Sequence, residues 1–265
     1  MPRRGLSPRD PPIFCERTFV SVEEMIDRVS PTLRPQGSAI GYMEWRHLLF
    51  LHWPVPVAAL EPLVPERLSI DLCQGIAYVA VVPFAMQAVR PRGLPAGAGL
   101  DLLETNVRTY VHLNGRDPGV YFFSLDASSL LAVVGARILT GLPYFPASAR
   151  LRAFSNGAVE YDLVRRGRSR PSLSVLYQPA EEPGTSPVST LEFFLLERYL
   201  LYVRRGRSLW RGRVHHRPYP VRGARVVRLQ DELVKAAGLP QPDGLPAEVH
   251  YSPGVDVELF RFERV

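Results

Sequence analysis

Lysine is almost missing from this chain, which carries a single one, Lys235, against 31 arginines in 265 residues. Chemistry that needs a primary amine therefore rests on one side chain, and Lys235 falls in a polar helical segment near the C-terminus, where solvent is its expected surrounding. Cysteine is nearly as scarce: Cys15 and Cys73 are too few for a disulfide framework or a cysteine-rich metal site. No apolar run reaches the length of a membrane span; the most apolar stretches are residues 76–82 and 130–139, and the second contains Arg137. Residues 1–12 are basic and Pro-rich, and no apolar stretch of signal-peptide length follows them. These absences point to a cytoplasmic protein that is not embedded in a membrane.

Motifs for the common cofactor and metal chemistries are missing too. There is no HExxH, His-x-Glu or CxxC pattern, no G-x-S-x-G elbow, and no glycine-rich phosphate loop. The pairs His215–His216 and His47–His52 cannot each supply two ligands locally, because strand residues one or five apart point to opposite faces. Neither a metal nor a cofactor is expected.

What is present is ordinary globular composition, 46% apolar and 22% charged, with 20 Gly and 26 Pro marking many turns. The net charge of +6 and pI near 9.6 raise the question of an anionic partner. A GC-rich coding sequence produces the same arginine skew, and the arginines fall largely at turns rather than among stacking aromatics, which argues against nucleic acid. The basic tips at 165–170 and 204–207 read as solvated hairpin turns that blunt sheet edges, with a partner-binding role as the alternative. A homo-oligomer is left open.

Residues 1–38 read as a Pro-rich extension with a short helical candidate at 22–29, and residues 39–265 as one mainly β domain. Strands are expected at 45–53, at 68–72 and 76–82 as a hairpin around Gln74–Gly75, and at 105–113 and 120–125 around Asn114–Gly115. Further strands follow at 151–154, 159–165, 173–177, 200–204, 210–215, 225–229, near 249, and at 255–262. Helices are expected at 128–139, at 191–199 with Thr190 as N-cap, and at 231–237 ended by Gly238. The first is apolar on all sides, so burial is expected for it.

The segment 104–112 is the most informative strand. Alternation puts Glu104, Asn106, Arg108, Tyr110 and His112 on one face and Thr105, Val107, Thr109 and Val111 on the other. That polar face either meets water or lines a polar cavity. Arg137 is the only charge in the apolar helix. A buried guanidinium there needs either an internal salt bridge to Glu104 or Asp126 or an anionic ligand, and both can hold at once.

Several segments, in fixed order, resemble the bacterial YqjF-like family known as DUF2071. They are residues 45–55 (WRHLLFLHWPV), 75–84 (GIAYVAVVPF), 106–111 (NVRTYV), 119–127 (GVYFFSLDA), 142–144 (LPY) and 197–199 (ERY). The resemblance places the chain in the acetoacetate-decarboxylase-like superfamily and implies an antiparallel β-barrel or cone with few helices and an internal cavity. In those decarboxylases a helix bearing an arginine runs into Phe-Pro-Lys-Lys, whose first lysine forms a Schiff base. The comparable helix here holds Arg137 and runs into Leu142-Pro143-Tyr144-Phe145, so the resemblance puts Tyr144 at the lysine position and Asn106 near a catalytic glutamate. Tyrosine cannot form the imine, which argues against Schiff-base decarboxylation.

The leading expectation is a cavity protein that binds or transforms a small carboxylate-bearing molecule. Arg108 and Arg137 are the anion-binding candidates, with Asn106, Tyr110 and Asp126 as further ligand contacts. Tyr144, Glu104 and His52 are the candidate proton donors or acceptors, in lyase, isomerase or hydrolase chemistry by general acid–base catalysis. The alternative is a non-catalytic ligand-binding or protein-interaction barrel.

Overall fold

A computed structural model describes residues 26–180, 187 and 190–265. Cys15 and most of the helical candidate at 22–29 lie outside the described residues, and residues 26–29 are not helical. The fold is mainly β. In chain order its strands are β1 (Gly41–Val55), β2 (Ser69–Ile70), β3 (Ala77–Pro91), β4 (Leu100–Leu113), β5 (Arg116–Ala127), β6 (Tyr144–Ala153) and β7 (Val159–Arg165). There follow β8 (Ser172–Pro179), β9 (Leu200–Arg205), β10 (Ser208–His215), β11 (Arg222–Asp231), β12 (Glu248–Leu259) and β13 (Glu263–Arg264). The helices are short: α1 (Val57–Leu60), α2 (Leu130–Thr140), α3 (Leu191–Leu196) and α4 (Leu233–Ala236).

All these strands belong to one hydrogen-bonded sheet that closes on itself. It forks twice. Along one edge of β5, Val120 and Tyr121 pair with β9 while residues 125–127 pair with β6, and both pairings are parallel. The outer edge of β12 pairs with β11 at His250 and Tyr251 and with β10 at Glu258 and Leu259. The five strands β12-β1-β3-β4-β5 are therefore a wall shared by two closed circuits, one completed through β9 and β10 and the other through β6, β7, β8 and β11.

Each circuit encloses its own core. Leu48, Phe50, Tyr78, Ala80, Val82 and Tyr110 face the first, together with Phe194 and Leu195 of α3. Leu49, Leu51, Val79, Val81, Val107 and Tyr161 face the second, with Leu233 and Val234 of α4. The wall strands are buried on both faces, which is why residues 77–86 read as an unbroken apolar run.

Most expected strands form, and several run longer. Asn114 (φ 52°) and Gly115 (φ 73°) make the β4–β5 turn in the left-handed conformations a tight hairpin requires. Two pairings differ from expectation. The turn at Gln74–Gly75 forms, but β2 pairs with β4 rather than with the strand after the turn. The strands expected near 249 and at 255–262 are one strand, β12, which passes through Gly254 at φ 143°, where a side chain would collide with the Trp45 carbonyl.

The helix expected to be buried is not. On α2 only Val133 is buried, while Leu131, Ile138 and Leu139 are about three-quarters exposed. Strand residues, α3 and α4 already line the two cores, so this helix lies outside, anchored by Val133 and by polar groups. Ser129 Oγ caps it by accepting from the Ala132 amide, and Arg205 donates to the carbonyls of Leu139 and Thr140. The described part of the N-terminal extension is tied down as well: Arg28 makes a two-pronged bond to Asp71, and Arg34 does so to Glu258.

Candidate ligand site

Strand β4 turns its polar face inward, toward the first core. Glu104 is 3% exposed, Asn106 4%, Arg108 8% and Tyr110 0%. His112, at the end of the row, is half-buried and accepts a hydrogen bond from the Gly115 amide. The alternation of β4 persists past an irregularity in its pairing with β5 between Val107 and Arg108. The opposite face stays in the second core, where Thr105 Oγ1 lies 3.1 Å from the Tyr161 hydroxyl.

Glu104 meets Tyr144. Leaving α2, the chain enters β6 beside β5, with Tyr144 opposite Leu125, and the Tyr144 hydroxyl donates to Glu104 Oε2 at 3.0 Å. Burial pushes the Glu104 carboxyl up to about 8, and the hydrogen bonds from Tyr144 and Asn106 offset only part of this. Burial, then the neighbouring Glu104 charge, raises the Tyr144 phenol well above its ordinary value. At neutral pH the pair is thus a protonated carboxyl beside a neutral phenol.

Arg108 lies two turns of the pleat along the same face. Its guanidinium is 5.7 Å from the Phe50 ring centre and 5.9 Å from that of Tyr110, and its Nη2 reaches the Leu195 carbonyl only at 3.5 Å. Nε is buried without a partner, and among the described residues Arg108 makes no salt bridge. The contrast with its neighbours is sharp. Arg165 holds Asp126 through two bonds of 2.6 and 2.8 Å, and Arg198 shares Asp71 with Arg28. Glu197 is engaged elsewhere, accepting from the Tyr199 hydroxyl at 2.5 Å and the Tyr219 amide at 2.9 Å.

His52 is fully buried, with Nε2 2.8 Å from the Tyr110 hydroxyl, which itself donates to the Leu195 carbonyl at 2.9 Å. A carbonyl can only accept, so the phenol proton goes to Leu195 and His52 Nε2 is a donor. Burial first, then the charges of Arg108 and His250, keeps His52 well below its ordinary value and hence neutral.

Two expected contacts are placed differently. Arg137 is exposed: its Nε donates to the Tyr144 carbonyl at 2.7 Å and its guanidinium lies 5.8 Å from the Phe145 ring centre, so it bonds neither Glu104 nor Asp126. Asp126 faces away from Glu104, because adjacent positions of β5 alternate and Leu125 and Ala127 hold the inner face; its carboxylate is taken by Arg165. Lys235 is exposed on α4, whose buried residues pack into the other core.

Sequence reasoning missed His216, Trp45 and Tyr219. The His216 ring lies nearly parallel to Tyr199 at 4.4 Å and also packs against Tyr219 at 4.5 Å and Trp45 at 5.7 Å. Tyr219 meets Phe50 at 5.4 Å, and Trp45 meets Phe84, the residue opposite Glu104. These rings run from the residue opposite Glu104 to the ring beneath Arg108. In the sequence His216 stood out only as half of a histidine pair.

The DUF2071 family, described as an uncharacterized conserved protein, matches residues 42–256. The chain belongs to that family. Its DUF2071 relative in Bacillus subtilis (strain 168), "Uncharacterized protein YqjF", is 36% identical over 225 residues, covering 84% of this chain and 91% of that protein. In fold the chain is similar to solved structures of acetoacetate decarboxylase and decarboxylase-like enzymes. The enduracididine biosynthesis enzyme MppR complexed with pyruvate matches with a TM-score of 0.60 at 11% identity, over 86% of this chain and 91% of that one. Acetoacetate decarboxylase from Legionella pneumophila gives 0.60 at 11% identity, over 89% and 92%. An acetoacetate decarboxylase-like enzyme from Sphingomonas wittichii RW1 gives 0.59 at 12% identity, over 88% and 96%.

Proposed function

We propose that this chain binds a small carboxylate within its first core, with Arg108 as the anion anchor and the Glu104–Tyr144 pair as proton donor, and that it uses no Schiff base. The observation that carries the reading is Arg108 itself, a guanidinium 8% exposed with no carboxylate partner among the described residues. A buried charge is tolerated when it is paired, and a ligand carboxylate supplies the pairing with geometry suited to a guanidinium. Glu104 is pushed up by burial to about 8, Glu197 is engaged by the Tyr199 hydroxyl and the Tyr219 amide, and Asp71 is held by Arg198 and Arg28, so none of the three pairs with Arg108. MppR, which shares the fold, is known in complex with pyruvate, and that supports a small acid as the class.

If a reaction follows binding, the chain's own residues support general acid–base chemistry. Glu104, protonated near neutral pH, delivers its proton to a ligand oxygen as negative charge builds there, and the Tyr144 hydroxyl steadies the carboxylate left behind. Asn106 and Tyr110 complete the lining. The five strands shared by the two circuits support residues 39–265 working as one domain, and we take its place to be the cytoplasm.

The test is a thermal-unfolding panel of small carboxylic acids against their neutral amides. A ligand at about a hundred times its Kd stabilises the native state by about 2.7 kcal/mol, a rise on the order of 5 °C for a chain of this size. Acids should produce it and amides should not; equal effects, or none, sink the proposal. A second reading, a protein-interaction module, is favoured by the apolar outer face of α2, where Leu131, Ile138 and Leu139 meet solvent. On that reading no acid in the panel changes the melting temperature.

A further inference from the structure

His216 is 2% exposed and its Nδ1 lies 2.7 Å from the Arg217 carbonyl. The carbonyl can only accept, so the ring proton sits on Nδ1 and Nε2 carries a bare lone pair. Nε2 is buried and has no hydrogen-bonding partner among the described residues. The ring cannot turn away from this arrangement, because Tyr199 covers one face and Tyr219 and Trp45 pack around it. Burial holds the imidazole down to about 4, so near neutral pH the ring is neutral and Nε2 accepts and does not donate.

Contacts tie this acceptor to the anion anchor: Arg108 lies over Phe50, Phe50 meets Tyr219, and Tyr219 meets His216. Asn106 Oδ1, a second unpartnered acceptor, stands on the same face of β4 as Arg108. His216 also feels the charge of Arg108, so a carboxylate on Arg108 shares this core with both acceptors. A hydroxyl there can donate to Nε2, whereas a keto oxygen would set lone pair against lone pair.

We propose that His216 Nε2 selects a hydroxy acid over the matching keto acid in the Arg108 site. This rests on the reading of Arg108 given above and narrows its ligand class. Discrimination of this kind is large when a buried site is built to bond a hydroxyl, because the analogue leaves a buried polar group unpaired.

The experiment is calorimetric titration with lactate against pyruvate and 3-hydroxybutyrate against acetoacetate, on the wild type and on His216→Phe, which keeps a ring against Tyr199 but removes both nitrogens. The expected result is a preference of at least about tenfold in Kd for the hydroxy member of one pair. In His216→Phe that preference should fall to within about twofold, with the hydroxy acid bound more weakly and the keto acid no more weakly than by the wild type. Equal binding within both pairs, or a preference that survives in His216→Phe, overturns the inference and leaves the Arg108 reading standing. No binding by any of the four acids overturns both. Should His216→Phe fail to fold, nitrogen NMR of the wild type decides: the Nε2 resonance of His216 must move with the bound hydroxy acid and stay still with the keto acid, and the reverse pattern contradicts the proposal.

Discussion

Arg165, Arg198 and Arg108 are all nearly or wholly buried, and they differ in what neutralises them. Arg165 has Asp126, so truncating it leaves a buried carboxylate stranded, whereas Asp71 is shared by Arg198 and Arg28 and keeps one partner when Arg198 is truncated. Arg165→Gln should cost about 3–5 kcal/mol in equilibrium unfolding. Glu104 makes a separate prediction. Its folded value, about 8, lies above the ordinary 4.5, so the folded state holds a proton that the unfolded state releases. The relative stability is complete below the unfolded value and is lost as pH rises through about 8, at about 1.4 kcal/mol per pKa unit. Glu104→Gln should flatten that slope between pH 5 and 8. Tyr144→Phe removes a donor that favours the carboxylate and should move the Glu104 titration upward; a downward move would contradict the bond. The polar row of β4 was legible because strand periodicity alone sets which side chains share a face. The partners of Arg137 and Asp126 were not, because a pairing between residues 126 and 165 depends on how β5 and β7 are brought together across β6.

At the scale of elements, turn chemistry carried the hairpins. Asn114–Gly115 and Gln74–Gly75 bend where left-handed conformations are available, and Thr190 caps α3 by accepting from the Phe193 amide at 3.1 Å. Thr190→Ala should cost about 1 kcal/mol. Composition misread α2, because an all-apolar helix can lie outside when other elements already line the cores. Leu131→Gln and Ile138→Gln should change the unfolding free energy of the protein by less than about 0.5 kcal/mol, while Val133→Ala should cost about 2 kcal/mol. A large loss in the first pair would mean that α2 is covered. The pairing of β2 with β4 escaped the sequence because proximity in sequence favours the adjacent strand, and only the closure of the sheet puts β4 at that edge.

Over the whole molecule, the forks at β5 and β12 let one wall serve two cores, and the division of labour between those cores is what makes a ligand site. The second core holds its charges in matched form, as Asp126 with Arg165. The first holds Arg198 against Asp71 in the same matched form, and beside that pair a protonated Glu104, neutral histidines and Arg108, which has no carboxylate partner among the described residues. Family membership and fold were legible from dense local motifs, whereas the meeting of β1, β4, β12 and the 216–219 segment around Arg108 exists only once the ring closes. The central claim is that Arg108 awaits an anion, and thermal unfolding of wild type and Arg108→Gln, with and without a saturating small carboxylate, tests it most directly. The account predicts that the variant alone melts at or above the wild-type temperature and gains nothing from the acid. A variant that melts far below the wild type, as Arg165→Gln should, or that keeps the full acid-induced rise, would contradict it.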